Sequence, residues 1–398
     1  MAPRRRARTR VVWTPAFLEY DFGSRHPMTP LRLDLTFRLA GELGLLDLPG
    51  VDVVGAEPAS DDVLRTVHDA DYVAAVRRAS EHGVVDLARG LGTEDDPVFP
   101  GMHEAAARQV TGSVDSALEV WRGSARHAVN LAGGMHHAMA GHASGFCVYN
   151  DAVAAIRALL AEGARRVAYV DLDVHHGDGV ERAFWDDPRV LTVSVHESGR
   201  TLFPGTGDPH DVGGPEARGS VVNVALPAGT ADDGWLRAIG AVVVPVVRGF
   251  DPDLVVSQHG CDAHGQDPLA NLHVSVDAQR AGAMAVHDVA HEVADGRWVA
   301  LGGGGYAIAQ VVPRAWTHLL AIAAHEPIEV TAPVPEAWRA HAAQVVGFPV
   351  PTVMGDGGSS ELPPPWSDGY DPADPVDRVV LATRKAVFDW HGLDALYD

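Results

Sequence analysis

Short, fully apolar segments alternate with longer amphipathic ones along most of this chain. Many of the apolar segments are runs of Val, Ile and Leu without a period of two, a pattern typical of strands covered on both faces. Eight are predicted as strands: 10–13, 51–55, 127–131, 167–171, 190–195, 221–225, 254–257 and 298–301. The longer segments, with apolar residues three or four positions apart, are predicted as helices: 30–43, 102–121, 150–162, 233–248 and 275–295. The alternation predicts an α/β fold, a mostly parallel sheet flanked by helices.

The two ends of the chain differ in composition from the region between them. Residues 1–9 are rich in arginine, and no hydrophobic segment of a targeting signal follows, so they are predicted to form a basic, disordered arm. Residues 10–325 hold all the predicted strands and are predicted to be one domain. Residues 326–398 are rich in proline and are predicted to be an extension that packs on this domain and closes with one helix near 375–390.

Charge and cysteine content exclude several classes of partner. The 398 residues include 31 Lys and Arg against 53 Asp and Glu, a formal charge of −22. Nucleic acid and anionic membranes both attract cationic surfaces, so neither is an expected partner. Two cysteines, Cys147 and Cys261, are too few for a disulfide framework and suit a reducing cytoplasm, and no apolar run approaches the roughly 18 residues of a membrane span. We therefore expect a cytoplasmic protein.

Five segments rich in ionisable residues or glycine follow predicted strands: 133–137, 171–178, 196–207, 258–267 and 302–306. Ligands of open parallel sheets bind outside the carboxyl ends of the strands, where these segments should meet. In YVDLDVHHGDGV, residues 169–180, three aspartates and two histidines follow a buried strand. Burying unpaired charge costs several kcal/mol or more, roughly, unless a cation or a hydrogen-bonded network balances it. This edge of the sheet is predicted to hold a metal site.

The predicted metal ligands are Asp173, His175 and Asp262. Asp173 and His175 are separated by one residue, so in extended backbone their side chains point the same way. Asp262 follows a later strand and is the best candidate for a third ligand. Two carboxylates and one imidazole leave a coordination position open, as in catalytic zinc sites. Carboxylate-rich ligand sets also suit iron(II) or manganese, so the sequence predicts the presence of the site more firmly than the identity of its metal.

Acid–base chemistry is predicted for His136 and His137, which follow two glycines at a strand end. Asp171 and Asp178 are their predicted partners. A carboxylate that binds one imidazole nitrogen fixes the tautomer and leaves the other nitrogen for proton transfer. Water activated by a metal needs such a base, and a departing amine needs an acid.

Three aromatic residues lie beside glycines in the predicted loops. Tyr306 follows four glycines, but no Lys, Ser or Thr follows them as in a nucleotide-binding loop. Its hydroxyl, placed opposite a Lewis acid, could stabilise an oxyanion. Phe146 and Phe203, if they face each other, form a narrow apolar channel that suits an extended aliphatic chain.

The segments GGMHHA, GFCVYNDAV, YVDLDVHHGDGV, TVSVHESGRTLFPGTGD, QHGCDAHGQDPLANL and GGGGY occur in this order along the chain. Together they resemble the zinc-dependent histone deacetylase superfamily, and QHGCDAH most resembles its bacterial acetoin-utilisation (AcuC-type) branch. The resemblance extends over about residues 10–325 and includes HPMTPLRLDLT and GTEDDPVFPGMHEAA. It implies a single-domain arginase–deacetylase fold with a central, mostly parallel, eight-stranded sheet, and it identifies residues 10–325 as the catalytic domain.

The resemblance also implies roles in catalysis. Zn²⁺, or Fe²⁺ in the cell, would be bound by Asp173, His175 and Asp262. His136 would pair with Asp171 and His137 with Asp178. His137 is the preferred general base and acid and His136 would tune its field, although the sequence leaves that division open. Tyr306 would polarise the acetyl carbonyl.

Further roles follow from the same resemblance. The channel for the lysine side chain would be lined by Gly145, Phe146, Phe203 and Leu269. Asp95 matches a rim carboxylate that anchors the backbone amides of the substrate, and Arg32 matches the arginine of an internal exit channel. A structural K⁺ or Na⁺ would be bound by Asp171, the backbone of Asp173 and His175, and Ser194.

The expected reaction is metal-dependent hydrolysis of ε-N-acetyl-lysine in proteins, releasing acetate and lysine. By analogy with the family, an acetylated metabolic enzyme such as acetyl-CoA synthetase is the expected protein partner. An acetylpolyamine deacetylase is the near alternative. A binuclear manganese ureohydrolase is more distant, because only Asp262 presents itself as a ligand in the later loop. A non-enzymatic acetyl-lysine binding module should lack Tyr306 or a ligand, and both are present.

Overall fold

A computed structural model describes residues 9–398 of the chain. All eight predicted strands are present: β1 (Thr9–Val12), β2 (Val51–Val54), β3 (His127–Asn130), β4 (Val167–Asp171), β5 (Val190–Glu197), β6 (Val221–Leu226), β7 (Leu254–Gln258) and β8 (Trp298–Leu301). They form one sheet in the order β2-β1-β3-β8-β7-β4-β5-β6, and every pairing in it is parallel. The predicted fold class is confirmed.

Twelve α-helices surround the sheet within the described residues: α1 (Leu31–Glu42), α2 (Asp61–Leu64), α3 (Ala70–His82), α4 (Met102–Trp121), α5 (Asp151–Ala161), α6 (Asp178–Phe184), α7 (Asp232–Ala238), α8 (Val244–Phe250), α9 (Val276–Val293), α10 (Val312–Ala323), α11 (Glu336–Val346) and α12 (Pro375–Val387). Two of the predicted helices begin at capping side chains that satisfy a free backbone N–H. Asn150 accepts from the N–H of Val153 and starts α5, while Ser275 accepts from Ala278 and starts α9.

The core lies on both faces of the sheet, which explains the continuous apolar strands. Along β4, Ala168 and Val170 pack on the face that α1, α9 and α10 cover, whereas Val167 and Tyr169 pack on the face of α4 and α5. All five residues of β4 are buried. Each fully buried Val contributes on the order of 1.5–3 kcal/mol relative to an exposed one, so both layers of helices stabilise the same strand.

The predicted helix over 233–248 is not a regular α-helix. A π-helical turn, Ile239–Val243, joins α7 to α8, and the N–H of Val244 donates to the carbonyl five residues earlier. Pro245 in the first turn of α8 has no N–H, and its ring would collide with the carbonyl four residues before it. The wider turn accommodates this proline.

Several helices were not predicted. In α10 every residue except Ala315 is buried. Its polar residues Arg314, Thr317 and His318 are three and four positions apart, so a helical period is present in the sequence but was not recognised. In the proline-rich extension only one helix was predicted, whereas α11 precedes α12. α11 is attached to α1 by a hydrogen bond from Trp338 Nε1 to the Leu35 carbonyl, 2.8 Å.

The two ends of the chain meet the domain as follows. Residues 1–8 of the predicted arm lie outside the described residues, and the arm's boundary at Thr9 is wrong by one residue. Thr9 is buried and begins β1, where it pairs with Val51 and His127. At the other end, Thr383 of α12 donates to the Asn223 carbonyl on β6, 2.6 Å. Over the described range no helix is long and apolar enough to cross a membrane.

Candidate active site

The strand order brings the predicted loops together at one edge of the sheet. β8, β7 and β4 are neighbours, with β3 and β5 on either side of them. Because all five strands are parallel, their carboxyl ends lie at the same edge. The loops that follow them carry all five segments singled out from the sequence.

Asp173, His175 and Asp262 converge at this edge although 89 positions separate the two aspartates. His175 Nδ1 lies 3.1 Å from Asp173 Oδ1 and 3.1 Å from Asp262 Oδ2. All three residues are buried. Ligand atoms about 2.0–2.2 Å from a tetrahedral zinc are roughly 3.3 Å apart. Both His175 distances are close to this separation and all three ligand atoms lie within 4.8 Å of one another, so the donors fit a single divalent ion.

The charge at this position also fits a cation. Burial opposes protonation of His175, but hydrogen bonds with Asp173 and Asp262 and their charges raise its pKa to about 10. Burial and the charge of Asp173 raise the pKa of Asp262 to about 6. Both shifts show an excess of buried negative charge, which a bound divalent cation balances.

The remaining carboxylate oxygens are held by protein donors. Gln258 Nε2 and the N–H of Gly304 donate to Asp173 Oδ2, 2.7 and 2.8 Å. The N–H of Val174 donates to Asp262 Oδ1, 3.0 Å. A Cβ atom at Gly304 would collide with Asp262 Oδ2, so the glycine-rich loop can approach the donors only without a side chain. The protein thus orients one oxygen of each carboxylate towards His175.

The two histidines have the carboxylate partners implied by the resemblance. His136 Nδ1 lies 2.8 Å from Asp171 Oδ2, and His137 Nδ1 lies 2.7 Å from Asp178 Oδ1. Carboxylates accept, so Nδ1 carries the proton in both rings. The two Nε2 atoms are 3.0 Å apart and face the metal donors, with His136 Nε2 3.9 Å from Asp173 Oδ1. The two Nε2 atoms thus form a hydrogen bond with each other at the position where proton transfer is needed.

The pKa values of the two histidines are shifted in opposite directions. Burial opposes protonation of His136, but the charges of Asp171 and Asp173 outweigh it and raise its pKa to about 9. Burial and the charge of His136 lower the pKa of His137 to about 4, although Asp178 favours its protonated form. At neutral pH, His136 therefore carries a proton on both ring nitrogens, whereas His137 carries one on Nδ1 alone and its Nε2 can accept another.

Tyr306 is held at the site through its loop. Its N–H donates to Asp267 Oδ2, 2.7 Å, and Arg32 Nη1 donates to the Gly303 carbonyl, 2.7 Å. Burial and the charge of Asp262 raise the pKa of the Tyr306 hydroxyl well above its usual range. The hydroxyl consequently stays protonated and can act as a hydrogen-bond donor.

Phe146 and Phe203 flank the catalytic side chains. The Phe203 ring lies 5.0 Å from that of His137, and the Phe146 ring lies 5.6 Å from that of Tyr306. Gly145 allows this packing, because a Cβ there would contact His137 at 2.5 Å and Phe203 at 3.1 Å. Both phenylalanines are partly exposed, so the apolar walls face solvent as well as the site.

Other predicted residues lie farther from the metal donors. A small cavity of about 10 Å³ is lined by Met28, Gly134, Met135, His136, His137, Gly145, Cys147, Asp173, His175, Gly303, Gly304 and Tyr306. Asp95, Phe203 and Leu269 are not among these lining residues. Asp95 is exposed, and its carbonyl accepts from His26 Nε2, 3.1 Å. The N–H of Leu269 donates to Asp267, 3.0 Å. Arg32 donates a hydrogen bond to the carbonyl of Gly303, one of the lining residues.

The predicted monovalent-cation ligands lie beside the metal donors. Asp171 and Ser194 are partners in the register of β4 and β5. Asp171 Oδ1 accepts the N–H of Asp173, 3.2 Å, and Ser194 Oγ lies 2.9 Å from His196 Nδ1. Occupancy by K⁺ or Na⁺ stays a prediction.

Sequence reasoning missed the residues that orient the ligands. Asp151 accepts the N–H groups of Gly134 and Met135, 3.0 and 2.8 Å, and so fixes the turn that carries the histidine pair. The hydroxyl of Tyr169 donates to Asp171, 2.8 Å. Gln258 and Asp267 occur inside a motif already singled out, so their polarity beside Asp262 was the available signal.

Comparisons with known proteins agree with this geometry. The histone deacetylase domain profile matches residues 26–323. The acetoin utilization protein AcuC of Bacillus subtilis is 42% identical over 314 residues, which cover 77% of this chain and 80% of that protein. AcuC of Staphylococcus xylosus is 37% identical, covering 83% and 86%.

A solved structure described as an HDAC homolog complexed with SAHA has a TM-score of 0.81 and 26% sequence identity. The match covers 94% of this chain and 99% of that one. The predicted arginase–deacetylase fold is confirmed by this likeness. The domain match, the relatives and the fold together show that this chain belongs to the histone deacetylase family, in its AcuC-type branch.

Proposed function

We propose that this protein hydrolyses the amide bond of ε-N-acetyl-lysine in protein substrates and releases acetate and lysine. The observation that carries the proposal is the convergence of three metal donors, two histidine–carboxylate pairs and a tyrosine around one cavity. An acetylated metabolic enzyme such as acetyl-CoA synthetase is the protein partner that we propose, by analogy with the family, and the cytoplasm is the proposed compartment.

Zn²⁺ is the proposed metal, with Fe²⁺ as the alternative in the cell. When bound by Asp173, His175 and Asp262, it supplies a Lewis acid that polarises the acetyl carbonyl and lowers the pKa of water. The hydrogen bonds from Gln258, Gly304 and Val174 keep the carboxylate oxygens in place for this role.

The histidines move the protons. His137 Nε2 removes a proton from the attacking water while Asp178 holds its Nδ1–H and keeps the tautomer. The water oxygen bonds to the carbonyl carbon, and a tetrahedral oxyanion results. As the C–N bond breaks, a histidine returns a proton to the lysine nitrogen, so lysine leaves as a neutral amine. The protonated His136 stabilises the developing negative charge.

Tyr306 and the phenylalanines act on the substrate itself. The Tyr306 hydroxyl donates a hydrogen bond to the carbonyl oxygen as it becomes an oxyanion. Phe146 and Phe203 pack against the lysine methylenes and exclude water from them. Asp95 and Leu269 are proposed to contact the substrate outside the cavity, at the mouth of the channel.

The test compares turnover of an acetyl-lysine peptide by the parent and by Tyr306→Phe, with bound metal measured in both. Tyr370→Phe is the matched control, because Tyr370 is exposed and distant in sequence from the site. Loss of an oxyanion donor lowers kcat by roughly 10²–10³-fold. We expect that loss for Tyr306→Phe, with unchanged metal content, and none for Tyr370→Phe.

Other outcomes discriminate between the alternatives. Equal turnover by the parent and Tyr306→Phe would refute the oxyanion role. A zinc-loaded parent that hydrolyses N-acetylated polyamines with a higher kcat/KM than the peptide would favour the acetylpolyamine deacetylase. Peptide binding without turnover of either substrate would favour a binding module.

A further inference from the structure

Four histidines cluster at the edge of the sheet opposite the candidate active site. His127 is the first residue of β3, His287 and His291 lie one turn apart on α9, and His325 follows the C-terminal end of α10. One ring nitrogen from each lies within 4.8 Å of the other three. His127 is buried, His287 is half-buried, and His291 and His325 are exposed. The cluster is thus a surface site that is open to solvent at His291 and His325 and buried at His127.

Hydrogen bonds fix the tautomers of the two deeper histidines. His127 Nδ1 donates to the Ala323 carbonyl, 2.7 Å, and His287 Nδ1 donates to Asp288 Oδ1, 2.9 Å. In both rings Nε2 therefore carries the lone pair. His127 Nε2 lies 3.0 Å from His291 Nε2. His287 Nε2 is buried and has no hydrogen-bond partner in the described part of the chain. A histidine whose second nitrogen is held by a carboxylate or carbonyl is the usual arrangement of a metal ligand.

The backbone at His325 gives a second, independent indication. The N–H of Glu326 donates to the Ala321 carbonyl and that of His325 to the Ile322 carbonyl, which together form a Schellman motif. His325 occupies its left-handed position with φ of 57°. Glycine is the favoured residue there, because a side chain costs on the order of 1 kcal/mol. An imidazole at this position is therefore better explained by a contact it makes than by helix termination.

The surroundings keep the imidazoles neutral. Burial lowers the pKa of His127 to about 2 and also lowers the pKa of the other three, with mutual repulsion between the rings as a further cause. Charged groups that act on the rings include Arg126, which is paired with Asp295 at 2.6 Å, and Asp288 and Glu326. Neutral imidazole is the form that binds metal ions.

We propose that His127, His287, His291 and His325 form a second metal site that binds a divalent transition metal such as Zn²⁺ or Ni²⁺. A set of imidazoles without a carboxylate favours Zn²⁺, Ni²⁺ and Cu²⁺ over Mg²⁺ and Ca²⁺. Tetrahedral ligation needs donors roughly 3.3 Å apart. The Nε2 atoms of His127 and His291 are already 3.0 Å apart, and all four ring nitrogens lie within 4.8 Å of one another. The bound ion ties β3, α9 and the end of α10 together.

This site is separate from the one that carries the proposed function. β3 rises about 3.3 Å per residue, so His127 lies roughly 13 Å from the loop at Leu131. No residue belongs to both sets of donors. The second site is therefore expected to change stability and metal content without changing deacetylation.

The test uses the full chain without a histidine tag, stripped of metal and then equilibrated with Zn²⁺. Metal content is measured for the parent and for His325→Gly, with His82→Ala as the control, since His82 is an exposed histidine on α3. We expect two equivalents of Zn²⁺ per chain in the parent and the control and one in His325→Gly, with equal deacetylase activity. Because glycine suits the left-handed position, the metal-free variant should melt at the same temperature as the metal-free parent or above it.

A spectroscopic measurement identifies the ligands. In the Asp262→Ala background the histidine cluster is the remaining group of three or more donors among residues 9–398, and Cu²⁺ there should give nitrogen superhyperfine structure in its EPR spectrum. Adding His325→Gly should remove this signal. One equivalent of Zn²⁺ in the parent, or an unchanged Zn²⁺ content in His325→Gly, would overturn the proposal whatever the activity.

Discussion

Replacing Gly304 with alanine should disable the metal centre while leaving the fold intact. Gly304 lies in the glycine-rich loop after β8, and a Cβ there would collide with Asp262 Oδ2 and lie 3.0 Å from Asp173 Oδ2. The N–H of Gly304 also donates to Asp173 Oδ2, 2.8 Å. A single added methyl group would therefore come too close to both carboxylates of the predicted ligand set.

The size of the effect follows from the distances. Asp262 Oδ2 must move by about 1 Å or more to clear a Cβ, whereas metal–oxygen distances tolerate changes of only about 0.2 Å. Weakening an orienting contact alone costs about 10–100-fold in metal affinity. Displacing a ligand oxygen should cost at least about 100-fold, which corresponds to roughly 2.7 kcal/mol.

Competition with a chelator of known affinity measures this change directly. Gly41→Ala is the matched control: Gly41 lies in α1, no atom is within 4 Å of its Cβ position, and alanine there should stabilise the helix by about 0.5–1 kcal/mol. Thermal melting of both metal-free variants shows whether the fold survives. If Gly304→Ala bound Zn²⁺ as tightly as the parent, the proposed ligand geometry would be wrong.

Two further predictions concern ionisable residues. Asp178→Asn removes the charge that fixes the His137 tautomer, so kcat should fall by about 10²–10⁴-fold with unchanged bound metal, and a smaller loss would mean that Asp178 is dispensable. Burial and the charge of Asp95 raise the pKa of Asp96 to about 8, so the folded state holds this proton more tightly than the unfolded state, whose carboxyl has a pKa of about 3.9. The resulting stabilisation is complete below about pH 4 and is lost as pH rises towards 8, by up to about 1.4 kcal/mol per unit. Urea unfolding between pH 5 and 8 should show the parent losing stability relative to Asp96→Asn, and parallel profiles would contradict the burial of this proton.

Local sequence determined the strands and most of the chemistry of this protein. A strand covered on both faces favours apolar residues at successive positions, and this pattern is legible in strands such as β4, whose five residues are all buried, although not in the edge strand β2, where Asp52 and Val53 are exposed. The motifs likewise identified Asp173, His175, Asp262, the two histidines and Tyr306, because buried ionisable groups at strand ends need a function to offset their cost.

The tertiary structure decided which of these groups touch. The 3.1 Å distance between His175 and Asp262 depends on β7 lying beside β4, and a strand's own residues do not specify its neighbour. The helix α10 was not predicted although Arg314, Thr317 and His318 have helical spacing, and only the packing decided that these polar side chains are buried. The roles of Asp151 and Gln258 are hydrogen bonds to groups distant in sequence, so local sequence does not specify their partners.

The four-histidine cluster shows the same division most clearly. Only the spacing of His287 and His291, four residues apart on one helix, is visible in the sequence, whereas His127 and His325 join them through the packing of β3, α9 and α10. Side-chain type and the hydrophobic period are properties of residues close together in the chain, so the sequence determined the secondary-structure elements. Distances between elements depend on the whole packed core, so only the folded chain determined the sites.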